Sequence, residues 1–279
     1  MSNKRDIYIT CSELSTITWD NPYSKIHETF ETKLQKLLKL LKRNHLAEDP
    51  RFSHYTKKRM ETKYKKTIGS VRDYVQKYGL SPQEAEEKGY AELSLLSEEQ
   101  NELHLAKELV QRTAYVTHGR KEESGGLQKF CSTYTCLKAK RDPHFYQSIV
   151  HENDYYRVIL CGRVDASYKL PNGDSGIVEV KNRVKELFHR IPDYEQIQMY
   201  GYFIVTESTE GYLVEVLNSE FNIFELKKNK KEYMRIGEHV KKFSRFLYSF
   251  SQLETNHINE YLKLSFSERD EFLKSELNP

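Results

Sequence analysis

Apolar residues recur every three or four positions between about 25 and 44. Phe30, Leu34, Leu37, Leu38 and Leu41 form one stripe, which predicts a helix with its lysines turned away from that stripe. Residues 58–78 and 95–117 carry the same period and predict two more helices. Ser81-Pro-Gln-Glu84 has the serine, early proline and acidic third residue that open a helix. Near the C-terminus a further helical stripe is made by Val240, Phe243, Phe246, Leu247 and Phe250. Ahead of the first stripe, residues 7–17 read as a short extended segment running into a helix, with Ser12 placed as its N-cap. Asn21-Pro22 then marks a turn.

The middle of the chain changes character. Residues 155–161 are β-branched and aromatic, 164–170 continue in that vein, and Pro171-Asn-Gly-Asp174 separates them from 176–181. Two such runs flanking Asn-Gly predict a β-hairpin. A helix over about 193–203 and strands over 211–217 and 221–226 follow. Helices on either side of strands give an α/β (α+β) class with a central mixed β-sheet flanked by helices. No repeat or Gly/Ser linker divides the sequence, which predicts one domain over 1–279. Within it, 24–118 is a mainly helical elaboration, 119–226 a core, and 227–279 C-terminal helices.

Composition adds limits. With 38% hydrophobic and 30% charged residues in 279, the chain is a soluble, folded protein. It lacks the run of about 20 apolar residues that a spanning helix needs. Polar residues come too early for a secretion signal, so an intracellular location is expected. Cys11, Cys131, Cys136 and Cys161 lack paired zinc spacing and are expected to be buried or inert thiols. The net charge of +3 is small, but it is clustered: Lys33, Lys36, Lys39, Lys42 and Arg43 form one run, and Lys57, Lys58, Arg59, Lys63, Lys65 and Lys66 another. Solvated helix faces explain either run alone; with 20 tyrosines, both also suit contact with phosphates and bases.

The chemistry concentrates in Gly162-Arg-Val-Asp165 and Ile177-Val-Glu-Val-Lys181. On a strand, residues two apart share a face, so Glu179 and Lys181 point together while Val178 and Val180 point the other way. Asp165, on the preceding arm of the hairpin, can sit beside Glu179. Two adjacent carboxylates repel unless a divalent cation lies between them, and an all-oxygen set favours Mg²⁺, with Mn²⁺ able to substitute. Such an ion polarises a phosphate and acidifies a bound water, and a lysine can orient that water. An exposed hairpin with ordinary ion pairs is the plain alternative. Three features weigh against it. Gln196 and Tyr200 share a helix face that can reach the Glu179 strand. Glu122 and Glu123 follow Gly119 at the end of a helical run and can add a carboxylate. Arg5 and Ser12, with Asn21-Pro-Tyr23 behind them, can set a cation and a hydroxyl near the site.

In order, I-T-x-S-E, N-P-Y, G-x₃-E, V-D, E-V-K and Q-x-Q-x-x-Y resemble the lambda-exonuclease-type, YqaJ-like viral recombinase nucleases of the PD-(D/E)XK superfamily. The match spans residues 5 to about 205. Ala166 stands where the family usually has glycine, and a lysine-rich helical stretch separates Tyr23 from Gly119. The resemblance implies a restriction-endonuclease-like core with an N-terminal helical elaboration. It implies Asp165, Glu179, the Val180 carbonyl and Glu123 (Glu122 its rival) as metal ligands, Lys181 as catalytic lysine and Gln196 as its helical support. Arg5, Ser12 and Arg163 would then bind the substrate phosphate. The expected activity is Mg²⁺-dependent 5′→3′ digestion of double-stranded DNA ends in recombination or DNA processing. A single-strand annealing protein is the expected partner, a homo-oligomer follows from trimeric members, and a viral origin places the protein in the cytoplasm or nucleus of an infected host. The alternatives are an endonuclease on DNA or RNA with the same metal site, and a non-catalytic nucleic-acid-binding protein.

Overall fold

Ile7 and Ile9 are buried between more exposed neighbours, and this alternation makes Arg5–Thr10 a strand, β1, in the computed structural model. The structure describes residues 4–96, 100–170 and 173–277, with the backbone alone for 100, 101 and 120–124. Strand β1 passes straight into helix α1 (Cys11–Ile17). Its cap is Thr10 rather than the predicted Ser12. The Thr10 N–H donates to Glu13 Oε2 at 2.7 Å in a capping box, because the strand runs to Thr10 and the helix begins at the next residue.

Helix α2 (Ile26–Leu40) buries Phe30, Leu34, Leu37 and Leu38 as the periodicity predicts. Lys33 departs from the expectation that the lysines face outward. It is buried because Glu13 supplies a counter-charge at 2.7 Å. After the short α3 (Asn44–Ala47), the single helix predicted over 58–78 is two, α4 (Ser53–Lys63) and α5 (Lys65–Gln76), joined at the buried Tyr64. Helix α6 (Pro82–Ser94) opens with the expected box, Glu84 N–H donating to Ser81 Oγ. Helix α7 (Gln100–Thr133) does not end near Gly119 but continues to 34 residues, since its second half has a sheet to lie on. A Cβ at Gly126 would stand 2.3 Å from a Val180 methyl, so glycine permits that close approach.

The remaining elements are β2 (Lys140–Arg141), β3 (Tyr146–Glu152), β4 (Tyr156–Gly162), β5 (Ala166–Lys169), β6 (Ser175–Asn182), α8 (Asp193–Thr206), β7 (Glu210–Leu217), β8 (Glu220–Lys227), α9 (Lys230–Ser251), α10 (Thr255–Lys263) and α11 (Phe266–Leu277). The expected mixed sheet is divided into two, β1-β4-β3 and β2-β5-β6-β7-β8. Each is mixed: β1 runs parallel to β4 and β6 to β7, with the other pairs antiparallel. Helix α8 is the crossover that a parallel β6–β7 pair requires. The class is therefore mixed α/β, with helices flanking both sheets.

Three apolar cores result. The largest joins β1, β4, α1, α2, α8, α9, α10 and α11. A second packs Phe130 of α7 on Val178 and Val180 of β6. The third, around Val71, Ala85 and Val110, belongs to the α4–α7 bundle alone. Among the described residues, no helix is long and apolar enough to cross a membrane.

Candidate active site

Because Val178 and Val180 are taken up by the core under α7, Ile177, Glu179 and Lys181 face the opposite way, toward α8. Lys181 Nζ donates to Glu179 Oε1 at 2.9 Å and to Gln198 Oε1 at 3.0 Å. The Gln198 amide donates in turn to Glu179 Oε1 at 3.1 Å and to the Tyr202 hydroxyl at 2.7 Å. Asp165 lies in the link between β4 and β5. Its Oδ2 accepts the Val180 N–H at 2.7 Å, which hooks the carboxyl beside Glu179, close enough for the two to interact directly.

Glu179 is only 6% exposed, and among the described residues its Oε2 has no hydrogen-bond partner. Burial pushes its carboxyl up to about 7, with Lys181 opposing the rise and Asp165 adding to it. Asp165 is also raised by burial, against the pull of the Val180 N–H. Burial favours a neutral Lys181, but the carboxylates of Glu179 and Glu195 outweigh it and hold the ammonium above its ordinary range. Two adjacent, desolvated carboxyls, one with an unpartnered oxygen, fit a hard divalent cation, which would relieve both penalties at once. Among the described residues no cluster of three or more His, Cys, Asp and Glu side chains forms. The expected third carboxylate, Glu123, and its rival Glu122 have side chains outside the described residues. Nearby, Asn182 Nδ2 donates to the Gly119 carbonyl at 2.7 Å, which ties α7 to the end of β6.

The glutamine that bonds Lys181 and Glu179 is Gln198 and not the expected Gln196, whose amide donates to the Ile191 carbonyl at 2.9 Å. Two residues along a helix turn a side chain about 200° away, so only one of the pair can face β6. Tyr200 packs on Phe203 and Tyr233, and Tyr202 takes the place expected for it. The sequence carries the Gln-x₃-Tyr spacing twice, at Gln196…Tyr200 and Gln198…Tyr202, and the helix phase selects the second.

Ser12 is exposed in the first turn of α1, its hydroxyl 3.0 Å from that of Thr10. Its neighbour Cys11 comes near the site, since a Cβ at Gly162 would meet both the Cys11 sulfur and the Tyr202 ring. Arg163 is exposed, two residues before Asp165. Arg5 is not brought to the cluster. It pairs with Tyr156 at the start of β4, while Thr10 pairs with Cys161 at the end that leads to Asp165, about 16 Å further along the strand. Of the thiols, Cys11 and Cys161 are buried as expected, Cys131 is half-buried, and Cys136 is exposed.

One feature escaped the sequence reading. Arg183, the next residue on the face of Glu179 and Lys181, donates to Glu195 through both terminal nitrogens at 2.7 Å, and to Glu215 at 2.8 Å. All three are mostly buried, and Asn222 caps Glu215. The Glu-x-Lys-x-Arg alternation was the available signal. Face to face, Glu179 and Lys181 of β6 and Arg183 just beyond its end meet Glu195, Gln198 and Tyr202 of α8 in one continuous polar seam.

No protein-family model and no curated protein sequence matches the chain. Its structure is similar to those of an alkaline exonuclease from Laribacter hongkongensis and a phage-related exonuclease from Haemophilus somnus. The first is 15% identical (TM-score 0.39, 62% of this chain and 88% of that one), the second 13% identical (TM-score 0.39, 86% and 93%). Likenesses so distant leave the functional case to the chain's own residues.

Proposed function

We propose that this protein is a Mg²⁺-dependent deoxyribonuclease that digests double-stranded DNA ends in the 5′→3′ direction. The buried, adjacent carboxyls of Asp165 and Glu179, with Lys181 fixed on the same face, carry this reading. Asp165 and Glu179 would hold the ion, joined on the family resemblance by the Val180 carbonyl and Glu123, and Mn²⁺ would substitute. When bound, the cation supplies Lewis acidity to a scissile phosphate and to a water.

The protein's own groups do the rest. Asp165 keeps its position through the Val180 amide. Lys181, kept protonated by its carboxylate neighbours, places a compact positive charge beside the phosphate oxygens as negative charge builds there. Gln198 fixes the Lys181 ammonium and Glu179 Oε1 together. The burial of Glu179 and the partial burial of Asp165 and Lys181 strengthen each interaction. Ser12 and Arg163, both exposed, would on the same resemblance receive a terminal phosphate. A role in recombination, and with it a single-strand annealing partner, follows from the same resemblance.

The deciding experiment uses linear 5′-phosphorylated duplex in a Mg²⁺ titration, with covalently closed circles and RNA alongside. Linear DNA should be consumed and circles spared. Cleaved circles would make the enzyme an endonuclease, and cleaved RNA would redirect its substrate class. Lys181→Ala should lower turnover by about 10²–10³-fold or more while duplex binding persists. Undiminished turnover would falsify the catalytic assignment.

A further inference from the structure

The sheet face that bears Asp165 and Glu179 does not end at the carboxylates. Residues paired across antiparallel strands share a face, and Ser167 pairs with Ile177, Lys169 with Ser175, and Lys140 with Ser167. Ser167 and Lys169 lie two and four residues beyond Asp165 on β5, so Lys140, Ser167, Lys169, Ser175 and Ile177 extend the same face away from the carboxylates. Between β2 and β5 the strip is tied to the site by the Asp142 N–H, which donates to the Asp165 carbonyl at 3.2 Å.

This strip floors a cleft of about 580 Å³, walled on its far side by Tyr146, Thr206 and Ser208. Four cations line it, Lys138, Lys140, Arg141 and Lys169, against one carboxylate, Asp142. That carboxylate is already engaged. It accepts from the His144 N–H at 3.0 Å and the Tyr146 hydroxyl at 2.9 Å, and lies 2.8 Å from His144 Nδ1. Counted over its lining, the cleft therefore keeps an excess of positive charge. A second cleft of about 400 Å³ between α2, α4 and α7 shows the contrast: Lys25, Lys57 and Arg112 there face Glu28, Glu61 and Glu108. Two of those cations are paired, Lys57 with Glu28 and Lys25 with Glu108 at 3.2 Å. The strip also carries two hydroxyls of the kind that bond phosphate oxygens, Ser167 and Ser175, the latter accepting from Lys169 Nζ at 2.7 Å.

We infer that this cleft binds the sugar–phosphate backbone of the nucleic-acid strand on one side of the bond to be cut, and so guides that strand across Asp165. The inference rests on the nuclease reading for its direction, but the binding can be measured apart from it. In chelator, anisotropy of a fluorescein-labelled single-stranded oligodeoxynucleotide is followed over a salt series. Lys138→Ala, Lys140→Ala and Lys169→Ala combined should weaken binding at least ~10-fold. The same variant should flatten the log–log salt slope by about 2, three contacts at roughly 0.7 each. The corresponding triple arginine variant should restore both. Photo-crosslinking of the unaltered protein gives a second readout, with adducts expected within 136–146 and 167–169.

An unchanged slope in the alanine variant overturns the proposal, as do adducts confined to other surfaces. So does a loss of binding that appears instead in Lys65→Ala with Lys66→Ala. A protein that binds through the cleft yet cuts nothing with Mg²⁺ would sink the nuclease reading and leave the cleft standing.

Discussion

Burial keeps the Glu179 carboxyl protonated up to about 7, whereas the same group ionises near 4.5 when unfolded. Between those values the folded protein binds the extra proton, so the stability from this group is full below 4.5 and disappears as pH climbs through 7. Asp165, raised in the same direction, adds to the trend. In chelator, calorimetry should therefore show the melting temperature falling between about pH 5 and about pH 8, with Glu179→Gln flattening the fall. A variant with the original slope would place the titration elsewhere. Glu179 and Lys181 could be put on one face from the sequence because a period of two in a valine-rich strand leaves only one way to point, and the hairpin turn set Asp165 beside them. Gln198 could not: two glutamines two apart on a helix are equal candidates until the N-terminus at Asp193 fixes the phase. Ser12 was misplaced for a related reason, since Thr10, Ser12 and Glu13 offer two overlapping caps and only the end of β1 chooses between them.

Where a helix lies on a strand, close approach couples stability to the site. A methyl at Gly126 would overlap Val180, whose N–H holds Asp165 in place. Gly126→Ala should thus cost about 1–3 kcal/mol of overpacking and lower cleavage along with it. Urea unfolding and a cleavage assay on the same preparation check this, and full stability with full activity would refute the coupling. The length of α7 was hidden in the sequence because Gly119 looks like a helix end when nothing shows the sheet beneath Gly126 and Phe130. Strand β3 gave no signal at all. Its register shifts between Ile149 and His151, which breaks the alternation that a strand is read by. The β5–β6 hairpin and α8 were legible, having turn residues and a clean period at their ends.

A buried ion pair links the N- and C-terminal thirds of the protein. Glu31 of α2 accepts from Arg269 of α11 at 2.8 Å, from the Tyr261 hydroxyl of α10 at 3.2 Å and from the Ser53 N–H at 2.7 Å. Arg269 spends its other donors on the carbonyls of Leu262, Leu264 and Arg51. No periodicity in either segment announces a contact between positions 238 residues apart, so this clamp was illegible, as was the division of the strands into two sheets. Removing Glu31 strands the buried Arg269 charge together with the Tyr261 hydroxyl and the Ser53 N–H. Glu31→Ala should therefore cost about 3–5 kcal/mol, more than any exposed ion pair here. Replacing both partners with apolar residues of similar volume should recover much of that loss, because the desolvation penalty then vanishes from both sides. Urea denaturation of the two single variants and the double variant gives the coupling directly. If the single losses merely add, the two side chains are not acting as one clamp, and the joining of the termini falls to the other contacts between these thirds, the packing of Phe30 on Phe250 and Tyr261 and the His27–Asp270 and Asp20–Arg235 pairs.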